Sequence, residues 1–245
     1  MKEHRLTETY AKDLRNFIEH TDEKQVLFAA LRRRILMSGA RSMLDIGAGG
    51  GEMAVPLAAL VPYYLAVEPN LDFVDGLGGC GIPVVVDSFP CNIPSKFDIV
   101  LASHVVPWGL AESTAFLRAA RALLKPHGTF VMITYDEEAQ SDWGDLLRAS
   151  GLPIPRVGQG RFEDYKTILR GWGVLQIQEI ETRVKAGFLD EILEALAFVY
   201  ADGRAEKRAA FCENAVVRKT LAEKYRMTSG YSFPFTHYLM QTWVK

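Results

Sequence analysis

The stretch with the most chemical potential is Asp45-Ile46-Gly47-Ala48-Gly49-Gly50-Gly51-Glu52. The apolar run Ser42–Ile46 enters a glycine turn and leaves into the helix-like segment Glu52–Leu60. Glycine lets a backbone turn with positive φ and lets a ligand approach without meeting a Cβ. The helix that follows aims its free amides at whatever sits in the turn. Dinucleotides and S-adenosylmethionine are both bound by such a device. The dinucleotide pattern G-x-G-x-x-G/A is met by Gly49, Gly51 and Ala54, with Glu68 at a ribose-contact distance beyond. Two carboxylates oppose that reading. Asp45 lies in the strand just before the turn, and in the register that starts at Gly47 the last position is Glu52. Both would face a pyrophosphate with negative charge, whereas a sulfonium carrying an amino-acid tail is neutral or positive and tolerates acids.

Other candidates are more scattered. Ser103 and His104 follow a strand at its C-terminal end, where open α/β sheets bind ligands. Trp108, Tyr135, Trp143, Phe162 and Tyr165 are aromatic residues able to wall a pocket. Cys80, Cys91 and Cys212 form neither a CxxC nor a Cys/His cluster, so they read as reduced thiols, and no metal site is expected.

The elements that must position these groups follow from periodicity. Residues 6–37 carry helix-spaced apolar positions (Phe17, Ile18, Val26, Leu27, Ala30, Leu31), broken at Thr21-Asp22-Glu23. Strands are predicted at Ser42–Ile46, Tyr63–Val67, Ile82–Val86, Phe97–Ala102, Thr129–Thr134, Val174–Glu181 and His237–Val244. Helices are predicted at Ser113–Leu124, from a Ser141 cap to Ser150, and at Arg161–Arg170, Leu189–Ala201 and Ala205–Tyr225. Strands alternating with helices imply a Rossmann-like, doubly wound, mostly parallel seven-stranded sheet. N-terminal helices precede it, and a helical insert interrupts it before the last strand. One domain is expected over 1–245: a helical lid at 1–39, a cofactor-binding half at 40–135, and an acceptor-side half at 136–245 with its insert at 186–230.

Composition narrows the class. The chain has 245 residues, 49% hydrophobic and 24% charged, with a formal net charge of −2. That excludes disorder, collagen and coiled coil, and weighs against a phosphate-reading nucleic-acid binder. No apolar run is long enough to span a bilayer, and the charged start MKEHRLTETY lacks a signal-peptide core. A cytoplasmic protein with no membrane partner is expected; oligomeric state stays open.

Asp45-x-Gly47-x-Gly49-x-Gly51 resembles the first motif of class I S-adenosylmethionine-dependent methyltransferases. Val67-Glu68-Pro69-Asn70 resembles the end of that family's second strand, and Asp87-Ser88-Phe89 the segment that flanks adenine. Phe97–His104 resembles its fourth strand and Leu123–Phe130 the entry to its fifth. The resemblance implies S-adenosylmethionine as cofactor, S-adenosylhomocysteine as product, and Asp45, Gly47, Gly49, Gly51, Glu68, Asp87, Ser88 and Ser103 as cofactor residues. Tyr10 and Leu14–Gln25 are similar to the N-terminal helices of the histamine N-methyltransferase family, as are Ser141-x-Trp143 and the insert. That similarity implies a small-molecule amine or imidazole acceptor contacted by Glu23; of the aromatic residues, Trp108, Tyr135 and Trp143 are the ones expected on the acceptor side. The C-terminal asparagine of that family has no counterpart in Ser232–His237.

Methyl transfer mainly needs alignment, which can supply roughly 7–11 kcal/mol. An alkyl amine of pKa about 10.4 costs about 4.6 kcal/mol to deprotonate at pH 7, while an imidazole needs almost no help. His104 and Glu23 are the candidate proton acceptors, and N-methylation is favoured over O-methylation. The rivals are an RNA or protein methyltransferase, suggested by seven Lys/Arg between Arg204 and Arg226, and a non-catalytic cofactor-binding relative.

Overall fold

The computed structural model describes residues 7–107, 109–135, 141–153, 162–201 and 204–244. Two helices open the chain, α1 (Glu8–Glu19) and α2 (Glu23–Ser38). The predicted break falls between them. Thr21 Oγ1 accepts from the Glu23 amide at 3.1 Å, and Asp22 donates its amide to Arg183 O, so the break is also tied to a distant strand.

The sheet then alternates with helices: β1 (Ser42–Ile46), α3 (Ala54–Ala58), β2 (Tyr63–Val67), α4 (Leu71–Gly79), β3 (Val84–Val85), β4 (Phe97–Ser103), α5 (Leu110–Ala122) and β5 (Leu124–Thr134). Next come α6 (Asp142–Ser150), α7 (Phe162–Arg170), β6 (Leu175–Ala186), α8 (Leu189–Ala201), α9 (Ala205–Glu213), α10 (Ala215–Lys224), β7 (Arg226–Met227) and β8 (Gly230–Trp243). The order across the sheet is β3-β2-β1-β4-β5-β8-β6, with the short β7 paired to β8. The first five strands are parallel and β8 inserts antiparallel between β5 and β6. The seven-stranded expectation therefore holds for the main path.

Strand residues alternate between faces, and the core divides accordingly. Leu44, Ile46, Val100, Ala102, Phe130 and Met132 pack with Phe116, Leu117 and Ala120 of α5 and Leu169 of α7. Met43, Ala66, Ile99, Leu101, Val131 and Ile133 pack with Leu27, Leu31 and Ile35 of α2 and Leu57 of α3. A third cluster joins Phe17 of α1 to Trp143, to α8, α9 and α10, and to Phe233 and Phe235 of β8.

Several boundaries differ from expectation for local reasons. The third strand shrinks to Val84–Val85 because Pro83 has no N–H to give the ladder. The last two strands are longer than predicted, because they pair with each other from Leu175↔Thr242 to Ala186↔Tyr231 and the polar residues between gain partners. The predicted helix Ala205–Tyr225 is two helices. Asn214 breaks it, its side chain accepting from the Val216 and Val217 amides at 3.0 and 3.1 Å as an N-cap.

At the base of the sheet, Asp98 accepts from the Arg41 and Ser42 amides (3.0 and 2.9 Å), from Ser42 Oγ (2.8 Å) and from Lys125 Nζ (3.0 Å). Partial burial raises its pKa, but the Ser42 and Lys125 hydrogen bonds outweigh it and hold the carboxyl below its ordinary range. Asp98→Ala should destabilise the fold by about 2 kcal/mol at pH 7, since it strips partners from several donors. The folded pKa is depressed, so this contribution is present above the ordinary aspartate range and is lost as pH falls through the lowered value. Urea denaturation at pH 7 and at pH 3 should therefore show a gap between wild type and variant that narrows at the lower pH.

Candidate functional site

A cleft open to solvent lies at the C-terminal ends of β1, β2 and β4. Its floor is the turn after β1: Gly47, Ala48, Gly49 and Gly50 line it together with Asp45, Glu52 and Met53. Gly47 and Gly49 have φ of +75° and +61°, the left-handed region that favours glycine. The Gly47 amide donates to Val67 O at 2.7 Å, which ties the turn to the end of β2. Around the site of a Cβ on Gly49 there is no atom within 4 Å, so the turn leaves room for a ligand against its backbone. Gly51 does not line the cleft. Its O receives the Val55 amide at 2.9 Å, just ahead of α3.

Glu68, at the end of β2, is buried yet lines the cleft. Its two oxygens accept from the Gly49 and Asn70 amides, each at 2.9 Å. Burial raises its pKa against the pull of those two donors. Each oxygen keeps lone pairs for further donors, the arrangement that two vicinal hydroxyls require. Asp45 also lines the cleft, but it is buried and accepts from Tyr64 OH at 2.5 Å. Burial pushes its pKa up to about 6 against the Tyr64 hydrogen bond and the charge of Lys24. Ser103 lines the cleft with a buried Oγ that has no hydrogen-bond partner among the described residues. Asp87 and Ser88, placed beside adenine by the motif, lie beyond β3, the first exposed and the second half-buried, where Asp87 Oδ1 accepts the Ser88 amide at 2.7 Å; they do not line this cleft.

The far side of the cleft is walled by Tyr10, Leu14, Phe17 and Ile18 of α1 and by Phe198 of α8. At the junction of the two halves stand Glu23, Lys24, His104 and Tyr135. Glu23 opens α2 and is 2% exposed. It accepts from Lys24 Nζ at 2.8 Å and from Tyr135 OH at 3.3 Å. His104 Nε2 lies 3.8 Å from Glu23 Oε1, and the His104 ring stacks on Tyr135 with centroids 4.3 Å apart. Burial raises the Glu23 pKa, but Lys24, His104 and His237 outweigh it and hold the carboxyl far below its usual range. His104 has φ +57°, a strained conformation for a residue with a Cβ, of the kind that concentrates at functional sites.

Other predicted residues are elsewhere. Trp143 is not on the cleft: it is buried against Phe211, Phe233 and Phe235, because the insert folds back over α6 and encloses it. Tyr165 joins the sheet core and donates to Pro107 O at 3.3 Å, and Phe162 packs on Tyr238. Trp108 lies outside the described residues. The basic stretch spends much of its charge internally, since Arg208 pairs with Asp13 and Glu194, Arg218 with Asp190 and Lys224 with Asp142. Sequence reasoning missed Lys24, Tyr10, Phe198 and His237. Tyr10 and Lys24 lie in the stretch that resembles the histamine N-methyltransferase helices, and Lys24 also adjoins Glu23; Phe198 and His237 carried no signal.

A family model for a methyltransferase domain matches residues 4–162. The chain belongs to this methyltransferase family. A ubiquinone biosynthesis O-methyltransferase from Methylobacterium nodulans is 33% identical over 118 residues, which are 44% of this chain and 47% of that one. The chain thus spans about half the length of the curated relatives it matches. Among solved structures, the YcgJ protein of Bacillus subtilis superposes with a TM-score of 0.60 at 15% identity, covering 89% of this chain and 97% of the other. The N-methyltransferase NodS of Bradyrhizobium japonicum, solved with S-adenosylhomocysteine, gives 0.55 at 12% identity over 97% and 99%. Both share the Rossmann-like methyltransferase fold.

S-adenosylmethionine, the methyl donor of class I enzymes, fits the residues present. The Gly49 backbone is open, Glu68 has spare acceptor capacity, and Ser103 Oγ is a buried polar atom with no partner among the described residues.

Proposed function

We propose that this methyltransferase moves a methyl group from S-adenosylmethionine to the nitrogen of a small-molecule amine or imidazole. The observation that carries the reading is the Glu23–His104–Tyr135 group at the junction of the glycine turn and the apolar wall. Gly47, Gly49, Asp45, Glu68 and Ser103 would hold the cofactor, and Lys24 would meet the carboxylate of its amino-acid tail. Bound there, the cofactor supplies an electrophilic methyl on a sulfonium. His104 takes the proton that the acceptor nitrogen sheds. Glu23 orients the imidazole and offsets the positive charge that develops, a role for a fixed carboxylate that an oxyanion acceptor would not reward. The stacked Tyr135 ring adds an aromatic face beside that charge. Residues of α1, α2 and α8 line the cleft, which supports the reading of the N-terminal helices and the insert as its lid.

Transfer of labelled methyl tests this. Purified protein would be given labelled S-adenosylmethionine and pools of amines, imidazoles, phenols and carboxylates, with RNA in parallel. Label in an amine or imidazole fraction is expected. Label confined to phenols or to RNA would overturn the nitrogen reading.

The assignment of Lys24 has its own check. Lys24→Met should weaken S-adenosylhomocysteine by roughly tenfold, the worth of one charge-assisted contact. 5′-Methylthioadenosine lacks the carboxylate, so its affinity should stay the same. Equal losses for both ligands by calorimetry would remove Lys24 from the tail site.

A further inference from the structure

Behind Glu23, on the side away from the cleft, lies a second imidazole. His237 sits on β8, fully buried, with its Nε2 3.9 Å from Glu23 Oε2 and 2.7 Å from Thr182 Oγ1 of the neighbouring β6. Its ring meets that of His104 edge-on at 5.2 Å and that of Tyr135 at 5.0 Å. It does not line the cleft. One carboxylate thus stands between two imidazoles, His104 on the cleft side and His237 on the core side.

We propose that His237, held by Thr182, is a positioning residue that fixes the Glu23 carboxylate so that it serves His104. The proposal rests on the methyl-transfer reading only for its catalytic consequence. The geometry explains how such a residue works. Glu23 is anchored on one side by Lys24 and Tyr135, and without a wall behind it the carboxylate is free to turn inward. Burial, outweighing the attraction of Glu23, lowers the His237 pKa to about 4, so at neutral pH it packs against the carboxylate without capturing it as an ion-pair partner. Glu23, His104 and His237 also bring one donor atom each within 4.8 Å of the others, a set that suits a divalent cation. Lys24 and Thr182 already engage two of the three, which favours positioning over metal binding.

The charged and titratable groups around this centre are Asp22, Glu23 and Lys24 at the start of α2, Tyr135 after β5 and His104 after β4. The test is an NMR titration of the histidine ring signals in the whole protein, without any acceptor, for wild type, Thr182→Val, His237→Phe and His237→Gln. An opposite charge within reach shifts a titration by about 1–3 pH units, so a displaced Glu23 should lower the His104 midpoint by about one unit in Thr182→Val and His237→Phe. His237→Gln, which still has an amide for Thr182, should recover at least part of the shift. Thermal melts identify a variant that fails to fold, and Thr182→Val is the milder change if His237→Phe does. An unchanged His104 midpoint in folded Thr182→Val would overturn the proposal. So would one equivalent of Zn2+ perturbing the His104 and His237 signals together, which would make the centre a metal site. With an acceptor in hand, kcat should fall in the same variants while KM for S-adenosylmethionine stays level. A midpoint that moves without any methyl transfer would count against the enzymatic reading and leave the positioning intact.

Discussion

Glu23→Gln should reduce kcat by roughly 100- to 1,000-fold, within the span that a positioned acid–base group supplies. Glutamine keeps the shape and can still accept from one of Lys24 and Tyr135 through its single oxygen, so the junction stays filled. What is lost is the negative charge 3.8 Å from His104 Nε2. The imidazole then loses the group that stabilises its protonated form, and the charge developing on the acceptor nitrogen loses its counter-ion. His104→Ala should fall into the same range. The double variant should be little worse than either single one, because residues acting as a unit are not additive. Affinity for S-adenosylhomocysteine should be preserved in His104→Ala, since Glu68, the glycine turn and the Glu23–Lys24 pair are untouched, and should change only modestly in Glu23→Gln, where Lys24 keeps its charge. Initial rates beside calorimetric titrations would show this. Wild-type turnover in both single variants would eliminate the Glu23–His104 pair as the acid–base group.

The second large effect is Gly47→Ala. At φ +75° an L side chain carries a penalty of about 1–2 kcal/mol. The added Cβ would also lie 2.3 Å from Val105 Cγ1, far inside contact distance. Val105 follows His104 and lines the same cleft, so relief by movement there would disturb the corner proposed to be catalytic as well. The turn would have to shift, and with it the Gly47 amide bond to Val67 O that aligns the turn with Glu68. Affinity for S-adenosylhomocysteine should drop by at least about 100-fold, roughly 2.7 kcal/mol. Adding Val105→Ala removes the clash but not the φ penalty, so it should restore part of the affinity and not all of it. Binding within threefold of wild type in Gly47→Ala would show that the cofactor does not rest on this turn.

The residues behind these two effects are not equally legible in the amino-acid sequence. The glycine turn, Asp45 and Glu68 sit at strand ends and announce themselves by local rules: an apolar run, a glycine cluster, a carboxylate where a strand stops. The fold brings these to one cleft, while leaving Asp87, Ser88 and Gly51 outside its lining. Tyr64 carries no such sign. Its hydrogen bond to Asp45 depends on the parallel pairing of β1 with β2, which puts the two strands side by side.

Local sequence is enough to specify the alternation of strands and helices, the parallel sheet and the cofactor turn. Each depends on contacts within a few residues or on a hydrophobic period that a single strand or helix displays. The acceptor side is set by tertiary contacts instead. Tyr135 reaches Glu23 across 112 positions and Thr182 reaches His237 across 55. Trp143, equally plausible from sequence, is enclosed by the insert. An isolated buried histidine or tryptophan has no period and no motif. Its role follows from which strand lies beside it, and the antiparallel insertion of β8 between β5 and β6 is what places His237 behind Glu23.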